Sequence, residues 1–287
     1  GTLGGYSAKV NAVVETASFA SGYAIAGKSR TPAQHKHACL WLENLGPLDL
    51  GTLGGEESEA YGVSADGSVV VGASQYAPGS PNHAFRWTAA TGMTDLGTLG
   101  HDPSVANAIS PDGFIVVGWS KATNGVDVHG FYWHQGMFID AGTPGAGVSV
   151  LTDVAASGVS VGGESGVPTR FTPAVGMTPL AGFPWAVGMA TSISDDGNWV
   201  AGNMGDCTTC TARAFRHDMA VGGWLDLGAE INQGSANSRA RDVNANGDVV
   251  GTAQGMASGG NPNHAFLWTE AQGSMDLNNR LQVGTGW

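Results

Sequence analysis

Histidine recurs in this chain at a spacing that first suggests a metal site. His37, His83, His129 and His264 each stand in a tripeptide close to His-Ala-Phe, and the first three are 46 residues apart. Zinc requires ligands that converge to about 2 Å from one ion. Copies of one position in successive repeats lie too far apart for that. The pattern favours a structural histidine that bridges a strand end to a neighbouring backbone group, and no metal site is predicted.

A second set of polar residues lies in the short run that opens each repeat. The runs align as Lys9-Val-Asn11, Glu59-Ala-Tyr61, Val105-Ala-Asn107, Val150-Leu-Thr152, Met189-Ala-Thr191 and Arg239-Ala-Arg241. Alternation along a strand puts the first and third residues of each triplet on one side. In a chain with only 12 Lys and Arg, such basic residues could hold a carboxylate or sulfate group of a ligand. The alternative is an Arg and Glu pair that satisfies itself. Ligand-binding roles are predicted for Lys9, Asn11, Asn107, Arg239 and Arg241.

Variable connections between the repeated segments supply further candidates. The connections from the fourth strand of one unit to the next, and from the second strand to the third, emerge on one face of the predicted fold. His101, Asp102 and Trp185 lie on these connections. Loops on a rigid frame commonly carry binding residues. Trp185 is therefore predicted to contact a ligand.

The same residues permit a catalytic hypothesis. A glycosidase needs two carboxylates about 5 to 10 Å apart, for which Glu59 and Asp102 are the candidates. A lyase that acts on uronates needs a base and a group that neutralises charge, for which Tyr61 or His101 and Arg241 are the candidates. The spacing of these residues specifies neither arrangement.

A calcium site is the remaining cofactor hypothesis, and no other cofactor is predicted. Asn244-Ala-Asn246-Gly247-Asp248 partly resembles the alternating oxygen ligands of a calcium loop. It lacks the later bidentate glutamate of such loops. A hairpin turn at Asn246-Gly247 already accounts for these residue types.

All of these residues belong to a sequence pattern that repeats six times, so the repeated fold must position them. The repeats cover approximately 1–50, 51–96, 97–140, 141–180, 181–227 and 228–287, aligned on Gly27, Gly72, Gly118, Gly162, Gly202 and Gly251. Within a repeat, four short apolar runs separated by turn residues predict four strands. The predicted fold is all-β, a six-bladed β-propeller with about 45 residues and four antiparallel strands per blade, in one domain over 1–287. An open β-solenoid is the alternative.

Turn residues predict the type of hairpin within each unit, and recurring aromatic residues predict the contacts between blades. Asp66-Gly67, Asp112-Gly113, Asp196-Gly197 and Asn246-Gly247 predict type I′ hairpins between the first two strands of a unit, because both central residues of that turn need positive φ. Eight recurring aromatics are expected between blades, at about 1.5 to 3 kcal/mol each: Trp41, Phe85, Trp87, Phe131, Trp133, Phe215, Phe266 and Trp268.

Composition narrows the setting and the partners. The net charge of −12 argues against nucleic acid and anionic bilayers, which are held chiefly by Lys and Arg. No apolar run approaches the length of about 18 residues needed to span a membrane. The chain begins inside a repeated phrase, at Gly1, as expected for a trimmed end. We expect a monomer.

The combined motifs resemble a known family. Asp-Leu-Gly-Thr-Leu-Gly-Gly, an Asp-Gly turn, Val-Val-Gly and then His83-Ala-Phe-Arg-Trp87 are similar to the bacterial extracellular repeat family named after its His-Ala-Phe tripeptide. The resemblance covers essentially the whole chain, although the fourth repeat departs from it at Thr169-Arg-Phe171. It implies export from a Gram-negative-type bacterium and residence outside the cell or on its surface, and it implies no reaction.

Two consequences concern cysteine. In the oxidising setting that the resemblance implies, Cys207 and Cys210 are expected to form a short-range disulfide on an exposed loop. Cys39 replaces the phenylalanine of the tripeptide and is expected to be a buried small hydrophobe.

Two classes of function follow from these observations. The first is a secreted or surface recognition and scaffolding module for a glycan or an extracellular protein. The second is a carbohydrate-active enzyme, a polysaccharide lyase or glycoside hydrolase. Its site would lie on the face that carries the variable connections, or at the mouth of the central channel that the first strand of each repeat lines. Because propellers serve both purposes, fold alone does not choose, and the sequence favours the binding module.

Overall fold

The fold of the chain is an array of four-stranded antiparallel sheets. A computed structural model describes residues 1–16, 22–42, 45–142, 147–206, 211–228, 237–254 and 263–277. Within these residues, twenty-four strands form six sheets, and strands adjacent in sequence are adjacent within each sheet. The predicted all-β class and six-bladed β-propeller are confirmed.

The strands follow the repeats closely. The first sheet comprises β1 Ala8–Glu15, β2 Tyr23–Arg30, β3 Lys36–Leu42 and β4 Gly46–Asp49. The second comprises β5 Ser58–Val63, β6 Val69–Gln75, β7 Asn82–Thr88 and β8 Gly92–Gly97. The third comprises β9 Gly100–Ile109, β10 Ile115–Ala122, β11 Val128–His134 and β12 Met137–Asp140.

The remaining three sheets keep the same order. The fourth comprises β13 Ser149–Val154, β14 Ser160–Glu164, β15 Val167–Thr172 and β16 Gly176–Pro179. The fifth comprises β17 Val187–Ile193, β18 Trp199–Asp206, β19 Thr211–Asp218 and β20 Trp224–Asp226. The sixth comprises β21 Ser238–Val243, β22 Val249–Gln254, β23 Asn263–Thr269 and β24 Gly273–Asp276.

Two compact units make up the chain, Gly1–Gly158 and Val159–Trp287. Their boundary lies in the turn between β13 and β14. The organisation as one domain remains a prediction. In the described part of the chain, no helix has the length and apolar character needed to cross a bilayer.

The glycine on which the repeats align lies where two strands approach closely. A Cβ atom at Gly72 would lie 2.0 Å from the carbonyl oxygen of Glu59 and 2.9 Å from the ring of Phe85. The first strand of the sheet bulges beside this point, because its pairing shifts between Ala60 and Gly62. The contact recurs at Gly27, Gly118, Gly202 and Gly251, where the nearest carbonyl oxygen lies 2.0 to 2.3 Å from such a Cβ. Close approach at the bulge therefore explains the repeated glycine.

The predicted type I′ hairpins are wrong, because the loop between the first two strands is longer than two residues. In the second blade, Gly67 has a φ of 73° and donates a backbone hydrogen bond of 2.8 Å to Ser64. Asp66 is not among the residues with positive φ. Instead its carboxylate accepts hydrogen bonds from the Ser64 hydroxyl at 2.6 Å and the Ser68 amide at 3.0 Å. Aspartate is thus selected as a local acceptor, and glycine alone takes the left-handed conformation.

Most of the predicted aromatics are buried. Phe85, Phe131, Phe215 and Phe266 are fully buried, Trp87 and Trp268 are nearly so, and Trp41 and Trp133 are half-buried. Cys39 is also buried as expected. Burial, followed by the charge of Asp49, raises the pKa of its thiol to about 12, so it behaves as a hydrophobic side chain.

Buried serines connect neighbouring sheets through the repeated tripeptide. The Ser58 hydroxyl accepts a hydrogen bond from the amide of Ala38 at 2.8 Å and donates one to the carbonyl of Gly51 at 2.6 Å. Ser104 repeats both contacts, with Ala84 and Gly97. These bonds satisfy backbone groups between blades.

Candidate functional site

The recurring histidines pair with aspartates, so the expected backbone partner was wrong. His37 Nδ1 lies 2.9 Å from Asp49, and the same contact joins His83 to Asp95 at 2.8 Å, His129 to Asp140 at 2.9 Å and His264 to Asp276 at 2.7 Å. The Asp49 carboxylate in turn accepts the amide of Gly51. Among the described residues, no group of three or more His, Cys, Asp and Glu side chains is placed to hold a metal ion.

His83 differs from the other three because both of its ring nitrogens meet a carboxylate. Its Nε2 lies 2.7 Å from Asp102, and the Tyr76 hydroxyl donates to the same carboxylate at 3.0 Å. Burial alone would lower the pKa of His83, but hydrogen bonds to Asp95 and Asp102 and their charges outweigh it and raise the pKa. The two carboxylates therefore extend the imidazolium form of His83 to higher pH.

This arrangement predicts a pH-dependent contribution to stability. Because the pKa of His83 is raised in the folded state, its contribution is complete below the unfolded value of 6.5 and is lost as the pH rises through the folded value. We expect His83→Gln to lower the thermal unfolding midpoint more at about pH 6 than at about pH 9. His134→Gln, another partly buried histidine, is the control. An equal loss at both pH values would contradict the charged pairing.

A concentration of positive charge lies in the first unit. A cavity of about 90 Å³ is lined by Lys9, Lys28, Arg30 and Lys36 together with Ser7 and Ser29. We call it the basic cavity. It gathers four of the 12 Lys and Arg of the chain, and no carboxylate lines its described wall. Such a surface attracts oxyanions.

A second cavity shares Lys28 and Lys36 with the first. It has a volume of about 150 Å³, and its wall also contains Glu57, Glu59, Tyr61, Gln75 and Asn82. We call it the mixed cavity. Its amides, hydroxyl and carboxylates could exchange hydrogen bonds with the hydroxyls of a sugar. The basic cavity thus shares two lysines with a cavity whose other polar side chains are amides, a hydroxyl and carboxylates.

Glu59 forms ion pairs with two of the basic residues, Lys9 and Lys28. Its carboxylate accepts hydrogen bonds from Lys28 Nζ at 2.6 Å and Asn11 Nδ2 at 2.9 Å, and Lys9 Nζ lies 3.5 Å away. Burial would raise the pKa of Glu59, but these hydrogen bonds and charges outweigh it and lower the pKa. Lys36 pairs similarly with Glu57 at 3.2 Å. Four cations against two carboxylates leave the pair of cavities with a positive balance.

Tyr61 lines the mixed cavity in its protonated form. Burial raises the pKa of its hydroxyl to about 12, helped by the charge of Glu59 and a hydrogen bond with it. Glu59 and Tyr61, both predicted as candidates, are therefore brought together. Sequence reasoning missed Lys28, Arg30 and Lys36, although the presence of four of 12 basic residues between positions 9 and 36 was a usable signal.

Asn11 and Asn107 have a structural contact as well as a predicted binding role. The Asn11 amide donates to the carbonyl of Ala60 at 2.8 Å, and the Asn107 amide donates to the carbonyl of Leu151 at 2.8 Å. Thr191 makes the corresponding contact with Ala240 at 3.3 Å. Each of these residues lies at the bulge of its strand and reaches the middle residue of the next triplet.

The loop candidates of the first unit, His101 and Asp102, do not line the basic or the mixed cavity. His101 and Asp102 lie on β9, where the Asp102 carboxylate is engaged by His83 and Tyr76. Trp185 lies in the second unit, half-buried in an aromatic cluster with Phe183 and Trp224 at ring-centroid distances of 5.4 and 6.1 Å.

Arg239 and Arg241 line a separate cavity of the second unit, with a volume of about 240 Å³. Both are exposed on β21. Arg241 was also a catalytic candidate.

The possible calcium loop is held by its own hydrogen bonds. The Asn244 carboxamide oxygen accepts the amides of Asn246 at 3.0 Å and Asp248 at 2.9 Å. The turn therefore accounts for Asn244. Cys207 and Cys210, the predicted disulfide, lie outside the described residues.

Comparison of the chain with known proteins defines its fold. No family model matches the sequence, and no curated protein matches it. Among solved structures, TolB from Acinetobacter baumannii is 14% identical with a TM-score of 0.57, and the alignment covers 86% of this chain and 61% of TolB. Puromycin hydrolase is 14% identical with a TM-score of 0.63, covering 95% of this chain and 45% of the hydrolase.

A third similar structure is the GH74 xyloglucanase from Xanthomonas campestris. It is 12% identical with a TM-score of 0.54, and the alignment covers 96% of this chain and 46% of the xyloglucanase. The chain thus spans less than two thirds of the length of each of these three proteins. At such low identity the likeness concerns the fold alone, and the chain is similar to β-propellers of diverse proteins.

Proposed function

We propose that this β-propeller is a recognition module that binds an anionic polysaccharide through the basic and mixed cavities. The observation that carries the proposal is the clustering of Lys9, Lys28, Arg30 and Lys36 around one small cavity in a chain of net charge −12. Oxyanions of the polymer would occupy the basic cavity. Hydroxyls of the adjoining sugar would bond to Gln75 and Asn82 in the mixed cavity.

The protonation states in the mixed cavity favour binding over catalysis. The lowered pKa of Glu59 suits the ionised carboxylate of a glycosidase but not its acid, which must be held protonated near neutral pH. A lyase base must accept a proton, whereas the pKa of Tyr61 is raised to about 12. Residence outside the cell or on its surface is part of the proposal and is supported by the resemblance to the His-Ala-Phe repeat family.

Binding to polysaccharides of different charge tests this function. We expect polygalacturonate or dextran sulfate to bind and neutral dextran not to bind, with affinity falling as salt increases. Arg30→Gln combined with Lys36→Gln should weaken binding at least about tenfold, since each loses a charge-assisted hydrogen bond. Lys121→Gln removes one positive charge from β10, outside the lining of both cavities, and should leave affinity unchanged.

Product formation is followed in the same samples. Reducing ends and the absorbance of unsaturated products should stay at background. Product that disappears in Tyr61→Phe would replace the binding module with the carbohydrate-active enzyme. Equal binding by the double variant and the wild type would overturn the assignment of the basic cavity, and loss of binding counts only if the thermal unfolding midpoint is retained.

A further inference from the structure

We infer that the exposed face of β21 and β22 in the second unit is a second oxyanion-binding site, built around Arg239 and Arg241. Its ligand class is a carboxylate or sulfate group carried by a small sugar. The inference rests on this face alone and does not require the basic cavity to bind anything.

Strand geometry brings the two guanidinium groups onto one face. Ser238 and Ala240 are buried, whereas Arg239 and Arg241 are exposed, and both arginines line the same cavity. Arg239 pairs with Thr252 of β22, and the pairing shifts after Ala240, which places Arg241 at a bulge. Bulges commonly redirect a side chain at a binding site.

The charges of these two arginines are not neutralised within the described part of the chain. Elsewhere in the same unit, Arg213 pairs with Asp226 at 2.6 Å and Arg216 with Glu270 at 2.7 Å. No described carboxylate pairs with Arg239 or Arg241. Asp242, the next residue, is exposed, and its carboxylate accepts a hydrogen bond from the Ser192 hydroxyl at 2.7 Å.

The neighbouring side chains add oriented donors. The Asn237 carboxamide oxygen accepts the amide of Ala212 at 2.8 Å, and its nitrogen donates to the Gln254 carboxamide oxygen at 3.2 Å. Among the described residues, no hydrogen-bond acceptor lies against the side-chain carboxamide nitrogen of Gln254, whose backbone amide donates to the carbonyl of Asn237 at 2.8 Å. With the Thr252 hydroxyl and two guanidinium groups, the cavity presents donors for a single oxyanion.

Size and chemistry limit the ligand. The cavity volume of about 240 Å³ lies below the range of about 300 to 1,000 Å³ typical of sites for drug-sized ligands, so one charged sugar is the expected occupant. Guanidinium groups bind both planar carboxylates and tetrahedral sulfates through paired hydrogen bonds. Glucuronate and glucose 6-sulfate share this chemistry and serve as separate probes.

Arginine side-chain NMR of the full chain tests the inference. Titration with glucuronate or glucose 6-sulfate should shift the Nε–Hε signals that disappear in Arg239→Gln and Arg241→Gln, whereas glucose should not shift them. The Kd for either charged sugar, followed in the backbone amide signals, should be at least about tenfold higher in the variant that carries both substitutions. Arg170→Gln removes an exposed arginine from β15 of the same unit and should raise it less than about twofold.

The outcomes separate this site from the basic cavity. Arg30→Gln combined with Lys36→Gln should leave the shifts of Arg239 and Arg241 intact, even if polysaccharide binding is lost. Absence of shifts with either probe at millimolar concentration would overturn the inference, as would an unchanged Kd in a double variant that retains its thermal unfolding midpoint. Response to only one probe would identify the anion as carboxylate or sulfate.

Discussion

Replacement of Gly72 by alanine is expected to lower the free energy of unfolding by at least about 3 kcal/mol, the upper end of ordinary overpacking. The new Cβ would lie 2.0 Å from the Glu59 carbonyl oxygen and 2.9 Å from the Phe85 ring. The carbonyl belongs to backbone that pairs on both sides of the contact, so it cannot move independently. Denaturation in urea, followed by tryptophan fluorescence, measures the loss.

Gly223→Ala is the matched control. Its Cβ would meet only a Val221 side-chain carbon at 3.8 Å, and no positive φ is required there. We expect a change within about 0.5 kcal/mol. A loss at Gly72 as small as that at Gly223 would mean that the first strand can retreat from the second without breaking the bulge.

Close approach at Gly72 also shows why the fold was predictable from the sequence. The same steric requirement recurs in most of the repeats, so it leaves a periodic glycine on which the repeats can be aligned by residue type alone. The buried phenylalanine of the tripeptide recurs for a related reason, since Phe85 packs against this glycine. Structural features that the blades share can therefore be recognised from a single sequence.

The local turn and bulge geometry was less predictable. Asp-Gly is compatible with several turns, and the residue types alone do not show the loop length, the φ of Asp66 or its hydrogen bonds with Ser64 and Ser68 that distinguish the observed loop from a type I′ turn. Simple alternation also missed the bulge in the first strand. Because the bulge redirects the third residue of the triplet, Asn11 reaches the carbonyl of Ala60 in the next sheet.

The candidate site was predicted only in part because its members come from different strands. Lys9 and Glu59 stood out in the aligned triplets. Lys28 and Lys36 lie on β2 and β3 at positions with no basic counterpart in most repeats, so alignment does not group them with Glu59. Function placed where repeats differ leaves no periodic signal. Distances such as the 2.6 Å contact of Lys28 with Glu59 require the fold.

The blade interfaces of the second unit contain a buried cation that can be tested in the same way. The Arg216 guanidinium carbon lies 4.3 Å from the ring centroids of both Trp199 and Trp268. Its nitrogens donate to the Gly247 carbonyl at 3.3 Å and the Glu270 carboxylate at 2.7 Å. Desolvated cation–π contacts contribute about 1 to 2 kcal/mol each, whereas the ion pair is weak because the Glu270 side chain is 76% exposed.

We therefore expect Arg216→Met to lower the free energy of unfolding by about 2 kcal/mol or more, since methionine fills part of the space but loses both ring contacts and the bond to Gly247. Arg216→Lys should lose about half as much, because it keeps the charge without the planar stacking. Glu270→Gln is the control and should change stability by less than about 0.5 kcal/mol. If Glu270→Gln costs as much as Arg216→Met in urea denaturation, the ion pair rather than the two tryptophans holds this interface.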